Sequence, residues 1–202
     1  MHRLAAALVA LIAWAGLAIQ FSATYSAHHD VVATLWIIAR FFTILTNLFV
    51  AIVMTAVAID RRVPPLILGG LTLAIILVGV VYATLLSGLH HLTGPALVAD
   101  VLLHKVSPIA MTLWWTFFAP RAAVDRTAPL WWAAYPLVYF IYVLARGHYD
   151  GRYPYPFINV AKIGWVQTAL NAGGIALGFL LAGYALVWID SWRPLGSKRG
   201  SR

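Results

Sequence analysis

Six apolar stretches, at residues 4–21, 35–59, 65–86, 96–118, 129–145 and 163–189, dominate the sequence. A helix that crosses the ~30 Å hydrocarbon core of a bilayer needs about 20 residues, so each stretch reads as one span. The fifth is short, but Trp131, Trp132, Tyr135, Tyr139 and Tyr142 suit an aromatic-rich crossing. Turn chemistry separates the stretches: Asp60-Arg61-Arg62 ahead of Pro64-Pro65, Gly88 through Pro95, Pro120 through Asp125, and Gly147 through Pro156. The expected fold is all-α: a single polytopic membrane helix bundle of six transmembrane helices filling residues 1–202.

Composition supports that class. Apolar residues make up 62% of the chain and charged residues 10%, with a mean hydropathy of +0.85. A soluble domain carries roughly a quarter of its residues charged, so lipid must solvate most of this surface. The net charge of +8 sits near the ends of apolar stretches, where it meets lipid headgroups rather than nucleic acid. There is no cysteine, which removes disulfides and thiol catalysis. There is no glutamate, and the side-chain carboxylates are Asp30, Asp60, Asp100, Asp125, Asp150 and Asp190.

The basic residues orient the bundle. With the N-terminus cytoplasmic, the inner segments hold Arg3, Arg61, Arg62, Arg121, Arg126, Arg193, Lys198, Arg199 and Arg202. The outer loops and their edges hold only Arg146, Arg152 and Lys162. That bias places both termini in the cytoplasm. The first stretch has a second reading as a cleaved signal peptide, with small residues at 22–27, which leaves the remaining orientation unchanged.

Ionisable and polar groups at membrane depth are costly and mark candidate sites. In the second span Arg40, Thr43 and Asn47 lie at i, i+3 and i+7 and share a helix face, with Thr46 at its edge. In the fourth, Asp100, His104 and Ser107 lie at i, i+4 and i+7 and share another. Both spans run from outside to inside. Thr43 and His104 each fall about eight residues down, ~12 Å below the outer boundary, so one level holds a hydroxyl, an imidazole and a carboxylate one turn above. That set has the parts of a nucleophile, base and orienting group.

Plainer readings stand beside it. A membrane-helix threonine commonly bonds the carbonyl one turn back, which is the expectation for Thr46. Asp100 either orients His104 or pairs with Lys105 or Arg40. His28, His29, His90 and His91 are loop histidines. A zinc site from His90, His91, Asp100 and His104 lacks the spacing of a zinc-peptidase helix and ranks below a Thr–His dyad. No metal or cofactor is expected. A small transporter or channel using Asp100, His104 and Arg40 is the competing function, and it would call for paired interrupted helices.

Several motifs together resemble a known family: Phe41-Phe42-Thr43, Asp100-Val101-Leu102-Leu103-His104, Trp132-x-x-Tyr135-Pro136, and Arg146-Gly147 followed by Gly151-x-Tyr153-Pro154-Tyr155-Pro156-Phe157. The chain resembles bacterial members of the androgen-induced-gene and androgen-dependent TFPI-regulating protein family, six-span membrane proteins, over essentially its whole length. Animal members are described as threonine hydrolases that cleave fatty acid esters of hydroxy fatty acids. The resemblance implies an intramembrane lipid ester hydrolase of the bacterial inner membrane, with membrane lipids and a lipid ester as its partners. It carries the nucleophile onto Thr43 and the base onto His104. In that setting Arg40 would bind a fatty-acid carboxylate or steady an oxyanion. Asn47 and Ser107 would support the dyad, and Arg146 and Tyr153 would act as lid or headgroup contacts, or else simply cap the bundle.

Overall fold

The computed structural model describes residues 1–89, 91–120 and 124–192, and every regular element among them is helical. His90, Arg121, Arg193, Lys198, Arg199 and Arg202 lie outside the described residues. In chain order the helices are α1 (His2–His28), α2 (Val31–Ile38), α3 (Phe42–Ala58) and α4 (Pro65–Val81), which a π-helical turn extends over Tyr82–Leu86. Next comes α5 (Gly94–Val101), which runs through a second π turn (Leu102–Val106) into α6 (Ser107–Phe118). Last are α7 (Ala128–Asp150), a 3-10 turn at Pro156–Ile158, and α8 (Val160–Trp192).

Five rods are long and apolar enough to cross a membrane: His2–His28, Pro65–Leu86, Gly94–Phe118, Ala128–Asp150 and Val160–Trp192. They turn large apolar side chains outward, among them Leu11, Phe117, Leu137, Ile141, Val166 and Leu170. A surface of that kind needs lipid around it, and this is the architecture of an integral membrane protein.

The second span corrects the expectation of one straight helix over 35–59. α2 and α3 meet at a bend of 100° and form one broken span or a re-entrant pair. No proline or glycine lies at the break. Its backbone groups are satisfied from elsewhere in the chain: the Tyr139 hydroxyl donates to Arg40 C=O (2.9 Å), Tyr142 donates to Ala39 C=O (3.2 Å), and Phe42 N–H donates to the Tyr155 hydroxyl (3.0 Å). Away from water an unpaired peptide group costs several kcal/mol, so these three tyrosines make the break possible. α3 alone, at 17 residues, is about 26 Å long. Thr43 is therefore the second residue of a helix, not a residue eight positions down one.

Small residues let the helices approach. Ala6, Ala10, Ala13 and Gly16 form a buried stripe along α1, which packs against α3 and α5. Arg3 pairs with Asp60, and Trp114 Nε1–H donates to His2 C=O (3.1 Å). The start of α1 and the ends of α3 and α6 therefore share one end of the bundle. α7 continues through Gly147–Asp150, so part of the expected fifth-loop segment is helical. α8 kinks at Gly164, whose φ of 75° favours glycine.

Candidate functional site

The site is assembled where the helices are irregular. Pro108 lacks an N–H, and its ring would clash with the His104 carbonyl in a regular α-helix. The chain widens into the π turn at Leu102–Val106 just before it. Ser107 N–H bonds Leu102 C=O, and Pro108 has no N–H to give. Leu103 C=O takes the Asn47 amide instead (3.1 Å), and the same Nδ2 donates to Thr43 C=O (2.9 Å). One buried asparagine thus ties the first turn of α3 to the π turn that carries His104.

His104 faces a partner on each side. Its Nδ1 lies 3.0 Å from Asp100 Oδ1 and 3.1 Å from Asp100 C=O. Both are acceptors, so Nδ1 carries the proton and Nε2 is left with a lone pair. Nε2 lies 3.2 Å from Thr43 Oγ1, whose hydroxyl donates to it. Asp100 is held in turn by the Tyr82 hydroxyl, which donates to Oδ2 at 2.5 Å. The Tyr82 ring stacks on the imidazole, with centroids 4.3 Å apart and planes 21° apart, and Lys105 Nζ stands 5.7 Å from that ring centroid. Of the three partners weighed for Asp100, the structure gives it His104, and it adds Tyr82.

Other candidates fall elsewhere. The bend removes the face that Arg40 was expected to share with Thr43 and Asn47. Arg40 turns toward the end of α7, where its Nη2 is 2.5 Å from Asp150 Oδ2 and its Nη1 donates to Arg152 C=O (3.3 Å). Arg146 is 5% exposed rather than poised as a lid. It donates to the Tyr142 hydroxyl (2.7 Å) and to Trp36 C=O, and its guanidinium lies 3.8 Å from the Trp36 ring centroid. Tyr153 packs its ring over Gly147, where a Cβ would collide with it. These residues brace α2 and the α7 end. Thr46 Oγ1 is 3.0 Å from the Tyr135 hydroxyl rather than bonded one turn back. Ser107 is fully buried, and its Oγ has no hydrogen-bond partner among the described residues. Among the described residues no three histidine and aspartate side chains come together to hold a metal.

Beside Thr43 a cavity of about 350 Å³ opens between α4, α7, α8 and the 3-10 turn. Its walls are almost wholly apolar: Leu77, Val81 and Leu86 from α4, Phe140 from α7, Phe157 from the turn and Phe179 from α8. Tyr155 also lines it, against the Thr43 side chain. Tyr82, Tyr139, Tyr155 and Asp150 do structural work at the site that sequence reasoning assigned to none of them. In a membrane chain a tyrosine reads first as a headgroup anchor. The available signal was that a buried tyrosine needs a partner for its hydroxyl.

The arrangement supplies a hydroxyl, a base correctly tautomerised to accept its proton, a carboxylate fixing that base, and an apolar chamber alongside. No family model, curated protein or solved structure matches the chain, so a functional reading rests on this geometry.

Proposed function

We propose that the protein is an intramembrane hydrolase of lipid esters, with Thr43 as nucleophile, His104 as general base and acid, and Asp100 as the group that orients it. The observation that carries this reading is the 3.2 Å contact between Thr43 Oγ1 and His104 Nε2, with Asp100 on the far side of the ring. Threonine is a weak nucleophile and needs a base within hydrogen-bond reach.

In the proposed reaction Nε2 takes the Thr43 proton as Oγ1 attacks the ester carbonyl carbon. The tetrahedral adduct collapses, the C–O bond to the alcohol breaks, and His104 returns the proton to the leaving alkoxide. Water, deprotonated by His104, then cleaves the acyl-threonine to release the fatty acid and restore the Thr43 hydroxyl. Asp100 steadies the imidazolium in both half-reactions. Because Thr43 sits in the first turn of α3, the positive end of the helix dipole meets the charge that develops on the carbonyl oxygen.

The same reading includes the finer topology: six crossings with α2 and α3 together as the second, and both termini in the cytoplasm of a bacterium whose inner membrane holds the bundle. The excess of basic residues on the presumed inner segments supports it. It also agrees with the resemblance to the androgen-induced-gene and androgen-dependent TFPI-regulating proteins, and the site would then lie in the outer half of the bilayer.

A transporter is the second reading, favoured by the break between α2 and α3 and the kink at Gly164. Against it, the charged groups close on one another in two clusters, Asp100 with His104 and Arg40 with Asp150. The test is turnover of ester-bearing lipids by the purified protein. The hydrolase reading expects Thr43→Ala and His104→Ala each to abolish it. Full activity in both variants, or solute flux in proteoliposomes with no hydrolysis, overturns it.

A further inference from the structure

Resting on the hydrolase reading, we propose that the cavity beside Thr43 is an acyl-chain site that measures the length of the substrate's fatty acid, with Gly173 and Ala176 of α8 as its specificity-determining residues. The cavity is near the lower end of the range for small-molecule sites, roughly 300–1,000 Å³, which suits one hydrocarbon chain rather than two. The cavity is open on one side, where Leu137, Gly173 and Ala176 are exposed, so a chain lying in the bilayer can enter it sideways.

Its shape points to how a chain lies in it. Along α8 the lining runs from Ala172 to Leu180, a rise of about 12 Å at 1.5 Å per residue. One end holds Thr43, Leu86 and Phe157. The other reaches Leu77, Ala133 and Phe179, deeper in the bundle. Beyond them Gly183 brings α8 onto Pro129 and Leu73, where a Cβ would come within 3.0 and 3.2 Å. That close approach shuts the deep end. On the wall the Tyr139 hydroxyl donates to Arg40 C=O, and the Tyr155 hydroxyl accepts from Phe42 N–H beside the Thr43 side chain. A carbonyl entering the chamber would meet Thr43 and Tyr155 at this end, with the tail descending along α8.

Gly173 lines this chamber, and a Cβ built on it meets no atom within 4 Å. Gly173 is exposed at the opening, so a larger side chain there meets no clash and can lie across the path of a tail. Ala176 lies one turn deeper on the same wall. Each buried methylene is worth about fourfold in binding, so each one displaced costs about that factor.

The experiment measures turnover of a series of p-nitrophenyl esters from acetyl to dodecanoyl by the unsubstituted protein, Gly173→Leu, Ala176→Leu and Phe179→Ala, in detergent micelles. The proposal expects kcat/KM of the unsubstituted protein to climb with chain length to a plateau. Gly173→Leu and Ala176→Leu move the plateau to shorter chains, lowering the decanoyl-to-acetyl ratio at least tenfold, and Phe179→Ala moves it to longer ones. Ratios that stay within twofold across all four proteins overturn the acyl-site proposal and leave the hydrolase reading standing. No turnover of any ester by the unsubstituted protein overturns both. Three substitutions probe three positions, so the loss of one variant to misfolding leaves the comparison intact.

Discussion

The two ends of the bundle are built on different principles. Toward the end that holds Arg3 and Asp60, α1 and α3 pack as regular helices, with Ala6, Ala10 and Ala13 of α1 and Val50, Ala51 and Met54 of α3 buried. Toward the opposite end regularity fails repeatedly: the α2–α3 bend, two π turns and the Gly164 kink all lie there. At two of these breaks side chains satisfy the freed backbone groups: Tyr139, Tyr142 and Tyr155 at the α2–α3 bend, and Asn47 at the Leu102–Val106 turn. The regular end supplies close packing. The irregular end uses its broken backbone to aim Thr43, His104 and Asp100 at one another.

The comparison breaks most sharply at the dyad. His104→Ala should lower kcat for an ester substrate by about 10²–10⁴, the usual contribution of a general base, while a thermal melt in detergent changes little. Arg40→Ala should do the reverse. It leaves the partly buried Asp150 with Arg146 at 3.8 Å and the Arg152 N–H at 3.0 Å and costs up to about 3–5 kcal/mol of stability, the penalty for removing one partner of a buried pair. A denaturation curve reads that loss. In the regular end, Ala13→Leu forces a branched side chain into a fully buried position. Overpacking of that kind costs about 1–3 kcal/mol, and turnover per folded molecule should survive. Equal losses of turnover in Ala13→Leu and His104→Ala would show that the two ends are not separable.

Smaller effects sharpen the site itself. Tyr82→Phe removes the donor to Asp100 Oδ2 and keeps the stacked ring. Hydrogen bonds to a charged group are worth about 1.5–3 kcal/mol, so kcat should fall by about tenfold or more with KM nearly constant. A change confined to KM would move Tyr82 out of the positioning role. Thr46→Val breaks only the bond to Tyr135, and turnover should change by less than about threefold. A loss as large as that of His104→Ala would instead make Thr46 the nucleophile.

Much of this architecture is legible in the sequence because bilayer thickness converts directly into the length of an apolar run. Five of the six stretches are helices within a few residues of their expected bounds, α1 and α7 running further at their C-terminal ends. The same logic failed on the second stretch. Ala39-Arg40-Phe41 carries no breaker, and the bend depends on tyrosines about 100 residues away along the chain. A local pattern holds no trace of such partners.

At the site, helical spacing put Asp100 and His104 on one face, and the structure joins them. The pairing of Thr43 with His104 was drawn from equal depth in two straight spans, and the contact is made by a different route. The bend sets Thr43 at the head of α3, and Asn47 ties that turn to Leu103. Arg40 went wrong for the same reason, since a helix face cannot be projected across a break. Pro108 was the one local clue to the π turn.

In the proposed mechanism His104 makes Thr43 nucleophilic. A fluorophosphonate probe reacts with an activated hydroxyl, and mass spectrometry of the digested protein locates the adduct. Phosphonylation is expected on Thr43 in the unsubstituted protein and should be lost in His104→Ala. An adduct on Thr46 or on any other residue, or labelling of Thr43 that His104→Ala leaves undiminished, would contradict it.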